Sequence, residues 1–447
     1  MGTIYIDTGG ATTNSGTSDN NSPDLSGTGD AVVTGSVVQL TVGTDLSGVV
    51  TAAGSTQSAI YIAQATNSNQ KIFWITAKDD VLDQVTVSVA PTGVTASNWA
   101  IGGRMVYTAA NFEAAVRPAD IIQFNNSPAS KTADFLTARL SGTSADGFIK
   151  VVGKTGTRPV LTITNTTQCI ENPGVWNLWW VENLELVQQG ASGNVTGTMG
   201  RGWVFYNVKV SDGGGFGIDL ADNGGRVLAS EITGTGGGGV EMGSNGSLFR
   251  GNYVHDLTGV GISYASGNMY STAEFNIVDT CTAQGIYISG TSTLTTHGWS
   301  IIQNVVFGCG NTGLEITDAD SQVNLLGNIF QDNGNAAGEF NVEWVAGSAE
   351  KTAYHSHNWF YHQGGGGGAN LSGLTANATE GTTDPLFTSP STGDFTLQST
   401  SPCKATSYPG AFLGGPTGYL DMGAVQRAEP AAGGGGSVFG AIGGVIA

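Results

Sequence analysis

The segment Gly217-Ile218-Asp219-Leu220 returns in altered form at Gly239-Val240-Glu241-Met242 and again at Gly261-Ile262-Ser263-Tyr264. Two further copies stand at Gly285-Ile286-Tyr287-Ile288 and Gly313-Leu314-Glu315-Ile316, so the successive glycines are 22, 22, 24 and 28 residues apart. A repeat of roughly 20 to 50 residues is typical of solenoid proteins, in which each turn of the chain packs only on its neighbours. Because strand side chains alternate between two faces, the first and third residues after each glycine are predicted to enter a core. The middle residue is predicted to point outward.

A second column of residues precedes each glycine by nine positions and keeps that offset through all five copies. It consists of Val208, Ser230, Asn252, Asn276 and Asn304, and Asn328 extends it. Two residues further on the side chain is always apolar, at Val210, Ile232, Val254, Val278, Val306 and Phe330. The repeat predicts coils stacked ~4.8 Å apart, with the four asparagines forming an internal hydrogen-bonded ladder. Glycine at the other corner is expected to supply a positive φ for a sharp bend, and Cys281 and Cys309 are expected to stack as reduced core thiols.

The segments around these coils resemble the right-handed parallel β-helix family, which includes pectate lyases and phage tailspikes. The similarity rests on residues 111–124, on early coils at 147–163 and 176–186, and on an exit segment at 384–424. The resemblance implies an all-β fold, with a right-handed parallel β-helix solenoid preceded by a small N-terminal β domain. A helix at 109–116 is expected to cover the open strand edges of the first coil.

Composition divides the chain into four parts. Residues 1–105 alternate short apolar strands with Ser/Thr/Asn/Gly turns and are predicted to form the N-terminal β domain. Residues 106–365 are predicted to form the parallel β-helix, and residues 366–430 to form its C-terminal capping region. Residues 431–447 combine four glycines with an apolar tip. This predicts either a frayed tail or a flexible linker whose tip docks into a partner subunit.

Charge and cysteine content exclude several classes of protein. The net charge of −19 argues against binding to nucleic acid or to an anionic membrane, since both require a basic surface. No signal peptide and no apolar run of ~20 residues is found, so no membrane span is expected, and synthesis in a host cytoplasm is expected. The four dispersed cysteines do not suggest a disulfide scaffold and include no metal-binding pair, and no cofactor is expected.

The middle residues of the triplets form the candidate site, because they should line one outer face of the solenoid. They are Asp219, Glu241, Ser263, Tyr287 and Glu315. Asp219 and Glu241 should lie ~5 Å apart, the carboxyl separation of retaining glycosidases, which makes them the best catalytic candidates. Ser263, Tyr287 and Glu315 are candidates for glycan binding. The alternative is a solvated strand face, which carries carboxylates in any acidic protein.

Three other features have weaker functional interpretations. Lyases of the family need calcium-binding carboxylates and a basic residue on one face, whereas Lys209, Arg226 and Arg250 are scattered, which argues against lyase activity. Residues 214–219 match the start of a calcium-binding nonapeptide, but the match occurs once and such sites need tandem copies, so no metal is expected. The aromatic cluster that contains His355 and His357 is expected to close the last coil in preference to stacking on a sugar.

Two classes of function fit these features. The first is a structural or adhesive virion component, namely a phage spike, fibre or capsid-attached appendage that binds other virion subunits and a host surface polysaccharide. It follows from the resemblance, the missing export signal and the apolar tip, and such a part is expected to be a homo-oligomer, a trimer, on the particle. The alternative is a polysaccharide depolymerase, a glycoside hydrolase on the same scaffold. A secreted bacterial adhesin is a third possibility, which lacks the export signal that it needs.

Overall fold

The architecture is taken from a computed structural model of the chain. The structure describes residues 3–6, 24–52, 57–65, 72–94, 96–101, 120–130, 132, 136–138, 141–145, 147–173, 176–243, 245–264, 270–289, 297–317, 321–334, 338–345, 353–363, 370–407, 409–410 and 418–426. The chain divides into two compact units, residues 1–189 and residues 190–447.

The first unit contains a closed barrel of six antiparallel strands. The strands are Leu25–Thr34, Val37–Gln39, Ala59–Ile62, Ile72–Asp79, Gln84–Val87 and Ser97–Ile101. Buried apolar side chains fill the barrel, among them Ile60, Phe73, Ile75, Val85 and Trp99. The predicted small N-terminal β domain is confirmed by this barrel.

A parallel sheet in the same unit includes the N-terminal strand. Thr3–Ile6 pairs in parallel with Ile121–Phe124, and the sheet continues through Ile149–Gly153 to Trp179–Glu182. Shorter parallel pairs join Val160–Ile163 to Glu185–Gln188 and Leu136–Thr137 to Ile170–Glu171. Residues 3–6 therefore lie outside the barrel, although they fall within the β domain predicted for residues 1–105. Their backbone satisfies the hydrogen-bonding edge of Ile121–Phe124, which would otherwise be open. The helix expected at 109–116 lies outside the described residues.

The second unit is a parallel β-helix of about seven turns, in which each turn adds one strand to each of three sheets. Sheet 1 contains Val204–Tyr206, Arg226–Leu228, Leu248–Arg250, Thr272–Glu274, His297–Ile302, Ser321–Leu326 and Ala353–Ser356. Sheet 2 contains Lys209–Asp212, Glu231–Thr233, Tyr253–His255, Ile277–Asp279, Val305–Phe307, Ile329–Gln331 and Trp359–Tyr361. Sheet 3 contains Phe216–Leu220, Gly238–Met242, Val260–Tyr264, Ile286–Ile288, Leu314–Ile316, Val342–Trp344 and Leu371–Ser372. The predicted all-β solenoid is confirmed, and the described residues include no α-helix.

The core of the β-helix contains the apolar columns found in the repeat. The sheet 2 column Val210, Ile232, Val254, Val278, Val306 and Phe330 is fully buried. The flanking residues of the sheet 3 triplets, for example Ile262 and Tyr264, are buried as well. Each triplet's middle residue faces away from this core, as strand alternation requires.

A ladder of asparagines runs along the turn between sheets 1 and 2. The side-chain Nδ2 of Asn252 donates to Oδ1 of Asn276 at 2.9 Å, and the same bond of 3.0 Å joins Asn276 to Asn304 and Asn304 to Asn328. Asn328 donates in turn to Asn358. Since every amide donates in the same direction, the last one needs a different acceptor.

Glu380 supplies that acceptor. Its side chain is fully buried, and its Oε1 accepts a bond of 2.7 Å from Nδ2 of Asn358. The same carboxylate lies 3.0 Å from Nδ1 of His355 and accepts a bond from the backbone N–H of Asn377. A buried carboxylate is stable only with such partners. Residues 377–381 thus close the end of the ladder.

The corner glycines serve a different purpose from the one expected, because none of them has a positive φ. A Cβ on Gly261 would lie 2.4 Å from the carbonyl oxygen of Gly285 in the next coil and 2.5 Å from Cγ1 of Val278. Glycine is required here because adjacent coils and the sheet 2 side chains approach too closely for any side chain. The positive φ angles occur on either side of the sheet 2 strands instead, for example at Phe275 (φ 56°) and Thr280 (φ 50°).

The cysteines at equivalent coil positions are buried free thiols. Leu257, Cys281 and Cys309 occupy the same position on successive coils, and both cysteines are free. Each of the three side chains faces a corner glycine, on which a Cβ would lie 3.0–3.2 Å away. The hydrogen bond with the neighbouring Cys309 thiol, followed by burial, raises the pKa of Cys281. The expectation of stacked, reduced core thiols is therefore confirmed.

The C-terminal segment covers the outer side of sheet 2. It contains the strands Phe387–Ser389 and Asp394–Leu397, the 3-10 helix Pro390–Thr392, and the short pair Pro409–Gly410 and Gly418–Tyr419. Phe387, Phe395, Cys403, Met422 and Ala424 pack against the outward residues Tyr253, Ile277, Val305 and Ile329. The region predicted as a cap at 366–430 thus lies along the side of four coils as well as over the end of the ladder. The apolar tip at 431–447 lies outside the described residues.

Candidate functional site

The five middle residues of the triplets form one continuous row on the outer face of sheet 3. Asp219 pairs in register with Glu241, and the register continues through Ser263 and Tyr287 to Glu315. With ~4.8 Å between coils, the row spans ~19 Å. The sequence therefore identified which residues share this face.

The row is longer than the repeat suggested. Thr198 forms a parallel bridge with Asp219 at one end, and Glu343 and Ser372 continue the register beyond Glu315 at the other. Glu343 lies in the triplet Val-Glu-Trp at 342–344, which Asn341 precedes in place of glycine. A search for apolar–X–apolar triplets without the glycine would have found it.

Asp219 is the most enclosed carboxylate of the row, with 8% of the residue exposed. Its Oδ2 accepts bonds from Oγ1 of Thr198 at 3.0 Å and Nδ2 of Asn194 at 3.5 Å, and its backbone N–H donates to Oγ1 of Thr196. Burial raises the pKa of Asp219, and the Thr198 hydrogen bond opposes that rise. The carboxyl group is fixed in position and is less acidic than in water.

Glu241 lies on the next coil and is half-buried. Its burial, followed by the charge of Asp219, raises its pKa. Two carboxyl groups one coil apart thus both favour the protonated form more than isolated carboxyl groups do. Such a pair can share one proton, so that the protonated carboxyl group acts as a general acid and the ionised one as a nucleophile.

A second carboxylate group lies at the other end of the row. Glu315 accepts a bond of 2.6 Å from Nε2 of Gln284. Burial, followed by the charges of Glu315 and Glu339, raises the pKa of Glu343. Glu339 accepts bonds of 3.0 Å from the backbone and the hydroxyl of Thr312. Within the described residues, no group of three or more His, Cys, Asp or Glu side chains could hold a metal ion.

Ser263 and Tyr287 separate the two carboxylate groups. Ser263 is 9% exposed and Tyr287 is half-buried, although both point away from the core. Neighbouring residues therefore cover part of each side chain, and a ligand on this face would reach only the exposed remainder. The middle of the row therefore offers one hydroxyl group and one phenol ring between carboxylates.

The three basic residues of the central coils lie on the other sheets. Nζ of Lys209, in sheet 2, lies 3.2 Å from Oε1 of Glu231, and Nε of Arg250, in sheet 1, lies 3.5 Å from Oε1 of Glu274. Arg226 begins a sheet 1 strand. No described strand residue of sheet 3 is Lys or Arg. These three basic residues therefore lie outside the row on sheet 3.

Sheet 2 carries a set of titratable groups that the sequence did not reveal. The imidazole of His255 lies 2.8 Å from Oδ2 of Asp256 and 3.3 Å from Oε1 of Glu231, and it stacks on the ring of Tyr253. Burial lowers the pKa of His255, but hydrogen bonds to the two carboxylates outweigh it and raise that pKa. The hydrogen bond from His255 holds the pKa of Glu231 at about 2. The register of sheet 2 could have predicted one contact of this set, since Tyr253 pairs with Glu231 on the adjacent coil.

The predicted aromatic cluster near the last coil is divided between core and surface. Phe360 is fully buried and stacks on Phe330 at 5.9 Å between ring centroids. His355 binds Glu380, and His357 lies 2.5 Å from the hydroxyl of Ser356. Tyr354 is 63% exposed. The expected closing role holds for Phe360 and His355 but not for Tyr354.

Comparisons with known proteins identify the fold of the second unit. Residues 193–376 match a family model described as a right handed beta helix region. The structure of pectate lyase Pel9A is similar with 15% identity and a TM-score of 0.49, over 72% of this chain and 91% of that one. The structure of the PL6 family alginate lyase AlyGC is similar with 12% identity and a TM-score of 0.29, over 60% of this chain and 48% of that one. No curated protein matches the chain. No helix among the described residues is long and apolar enough to cross a membrane.

Proposed function

We propose that the β-helix binds an extended polysaccharide along the outer face of sheet 3. The observation that carries the proposal is the row from Asp219 to Glu343, which places one outward side chain on each successive coil. A polymer of repeating units is the ligand that matches a site built from repeating coils. The ~19 Å between Asp219 and Glu315 accommodates several sugar rings.

The chemistry of the row fits sugar hydroxyl groups. Carboxylates accept charge-assisted hydrogen bonds, which are stronger than those between neutral groups. The hydroxyl group of Ser263 both donates and accepts. The ring of Tyr287 offers an apolar face for the C–H side of a sugar ring.

The charge of the row restricts the polymer. Asp219, Glu241, Glu315 and Glu343 contribute four carboxyl groups, and no described strand residue of sheet 3 is basic. A polyuronate would meet like charges at close range, which disfavours binding. We therefore propose a neutral or amine-bearing polysaccharide.

Affinity electrophoresis tests the proposal. Gels that contain dextran, hydroxyethyl cellulose, mannan or partly deacetylated chitin are compared with gels that contain alginate. At least one of the first four should retard the protein, and alginate should not. Tyr287→Ala and Glu315→Gln should each weaken that retardation about tenfold, which corresponds to about 1.4 kcal/mol. Asp212→Asn, at an exposed carboxylate on sheet 2, is the matched control and should bind normally. Equal binding by all three variants would refute the proposal.

Cleavage of the bound polymer is a second candidate function, favoured by the raised pKa of both Asp219 and Glu241. In this mechanism Glu241 donates its proton to the glycosidic oxygen while an oxygen of Asp219 attacks the anomeric carbon. The leaving sugar departs as an alcohol, and a glycosyl ester of Asp219 forms. Water then attacks the anomeric carbon and gives its proton to Glu241, which frees Asp219.

Release of reducing ends from the retarding polysaccharide distinguishes cleavage from binding. A hydrolase should lose this activity in Glu241→Gln and in Asp219→Asn while still being retarded in the gel. If the wild type is retarded but releases no reducing ends, the protein binds the polysaccharide without cleaving it.

We further propose that the protein is carried on a virus particle as a homo-trimer, with other virion subunits as partners. The support is the family resemblance of the sequence and the apolar tip at 431–447. Detection of the chain in purified particles, and loss of it from particles when residues 431–447 are deleted, tests this proposal. A truncated chain that is incorporated normally would refute the role of the tip.

A further inference from the structure

The outer face of sheet 1 carries an uncharged polar surface over four coils, here named the neutral face. It lies on the strands Thr272–Glu274, His297–Ile302, Ser321–Leu326 and Ala353–Ser356. The register aligns Thr272, Ser300, Asn324 and Tyr354 in one file, and Gly298 with Gln322 in the next, where Tyr270 precedes them. These residues of the two files carry no carboxyl or amino group, although the net charge of the protein is −19. At its lower edge Glu274 is paired with Arg250.

Two tyrosines of the neutral face are unusually exposed. Tyr270 is 65% exposed and Tyr354 is 63% exposed, whereas Tyr253 and Tyr264 of the same unit are buried. The ring of Tyr270 lies beside Gly298, where a Cβ would be 3.5 Å from its Cδ1. Glycine at 298 therefore leaves the space beside the ring open to a ligand.

Tyr270 also has a left-handed backbone, with φ at 57°. This conformation is unfavourable for a bulky residue other than glycine. Neither burial nor core packing explains a tyrosine at this exposed position. Strain of this kind tends to persist where a side chain has a function.

The spacing of the two rings fits a chain-like ligand. Tyr270 and Tyr354 are three coils and one file apart, which places them ~16 Å from each other. Between them lie the hydroxyl and amide groups of Thr272, Ser300 and Asn324, which both donate and accept hydrogen bonds. Aromatic platforms separated by uncharged hydrogen-bonding groups are complementary to sugar rings, which have apolar faces and hydroxyl edges.

We infer that the neutral face is a second glycan-binding site, specific for an uncharged polysaccharide and independent of the row on sheet 3. Tyr270 and Tyr354 stack on sugar rings, and the polar file between them binds hydroxyl groups.

Affinity electrophoresis in dextran, hydroxyethyl cellulose and mannan tests the inference in a chain that carries Tyr287→Ala and Glu315→Gln, so that the row on sheet 3 does not contribute. Retardation by one of these polymers, other than the polymer that the row on sheet 3 binds, should persist in this background. Adding Tyr270→Ala or Tyr354→Ala should weaken it at least threefold, and adding both should weaken it at least tenfold. The matched control is Tyr206→Ala, an exposed tyrosine three coils away on the same sheet, which should leave the retardation unchanged.

The strained tyrosine gives a second readout. Tyr270→Gly should raise the melting midpoint, because glycine accepts a positive φ without strain, while it weakens retardation as Tyr270→Ala does. No retardation in the background chain, or equal retardation in the Tyr270/Tyr354 and Tyr206 variants, would overturn the inference. Those outcomes leave the proposed row on sheet 3 untouched, since that row is tested by Tyr287 and Glu315 in the otherwise unchanged protein.

Discussion

Replacement of Asn276 by leucine removes the centre of the asparagine ladder. Its Nδ2 donates to Oδ1 of Asn304 at 3.0 Å and to the carbonyl oxygen of Phe249 at 2.8 Å. Its Oδ1 accepts from the backbone N–H and the side-chain Nδ2 of Asn252 at 3.0 and 2.9 Å. Leucine has a similar volume but makes none of these four bonds. All the partner groups are buried, so water does not replace the lost side chain.

The cost follows from the groups left without Asn276. Nδ2 of Asn252 keeps its bond to the carbonyl oxygen of Val227, and Oδ1 of Asn304 keeps the bond from the backbone N–H of residue 276. The backbone N–H of Asn252 and the carbonyl oxygen of Phe249 lose the bonds that Asn276 provides. At about 1–3 kcal/mol for each buried group, and with some gain from the apolar leucine, the free energy of unfolding should fall by about 2–4 kcal/mol.

Urea denaturation monitored by tryptophan fluorescence measures this change. Asn324→Leu is the matched control, because Asn324 is exposed and makes one long bond of 3.5 Å to Ser300. The control should change stability by less than about 0.5 kcal/mol. If the two variants unfold at the same urea concentration, the ladder does not stabilise the coils and the reasoning fails.

Three further predictions concern other parts of the coil. Gly261→Ala should destabilise by about 1–3 kcal/mol because its Cβ would meet the next coil's carbonyl oxygen, whereas Gly48→Ala, with open space, should be neutral in the same denaturation assay. Burial raises the pKa of Asp279 from 3.8 to about 6, so its contribution to stability is present at low pH and is lost as pH rises through 6. Asp279→Asn should therefore gain up to about 3 kcal/mol over the wild type at pH 8 and nothing at pH 4, and identical pH profiles of the melting midpoint would contradict this. Cys281 should not react with a thiol reagent in the native state, and labelling without denaturant would show that the coil opens there.

The sequence predicted the parts of the fold that repeat. Val278 and Asn276 recur at fixed offsets because each coil must bury the same positions and satisfy the same turn. The row from Asp219 to Glu315 follows from that register alone. These features could be predicted from the sequence because every coil is subject to the same physical constraint.

Structural features that occur only once in the chain could not be predicted from the sequence. Glu380 terminates the ladder by a contact that joins coils to a later segment, and no periodicity marks it. The strand at residues 3–6 pairs with a partner more than a hundred residues later, although its alternation did predict a strand. The role of the corner glycine was misassigned because both a positive φ and a close approach select glycine, and the sequence does not separate the two causes.

The exposed surfaces show the same division. Tyr270 and Tyr354 lie on one face through sheet 1 register, but their exposure depends on what packs over them. The C-terminal segment buries Tyr253 and Ile277 on sheet 2, which also point outward. Strand alternation therefore identifies outward residues without showing which of them reach solvent.

Hydroxyl-radical footprinting with a retarding polysaccharide tests the binding row on sheet 3 most directly. Oxidation of Tyr287, the half-buried aromatic residue at the centre of the row, should fall several-fold when the polysaccharide is present. Oxidation of Tyr206, on sheet 1 and far along the solenoid from the neutral face, should not change. Unchanged oxidation of Tyr287 at a polysaccharide concentration that fully retards the protein would contradict the account.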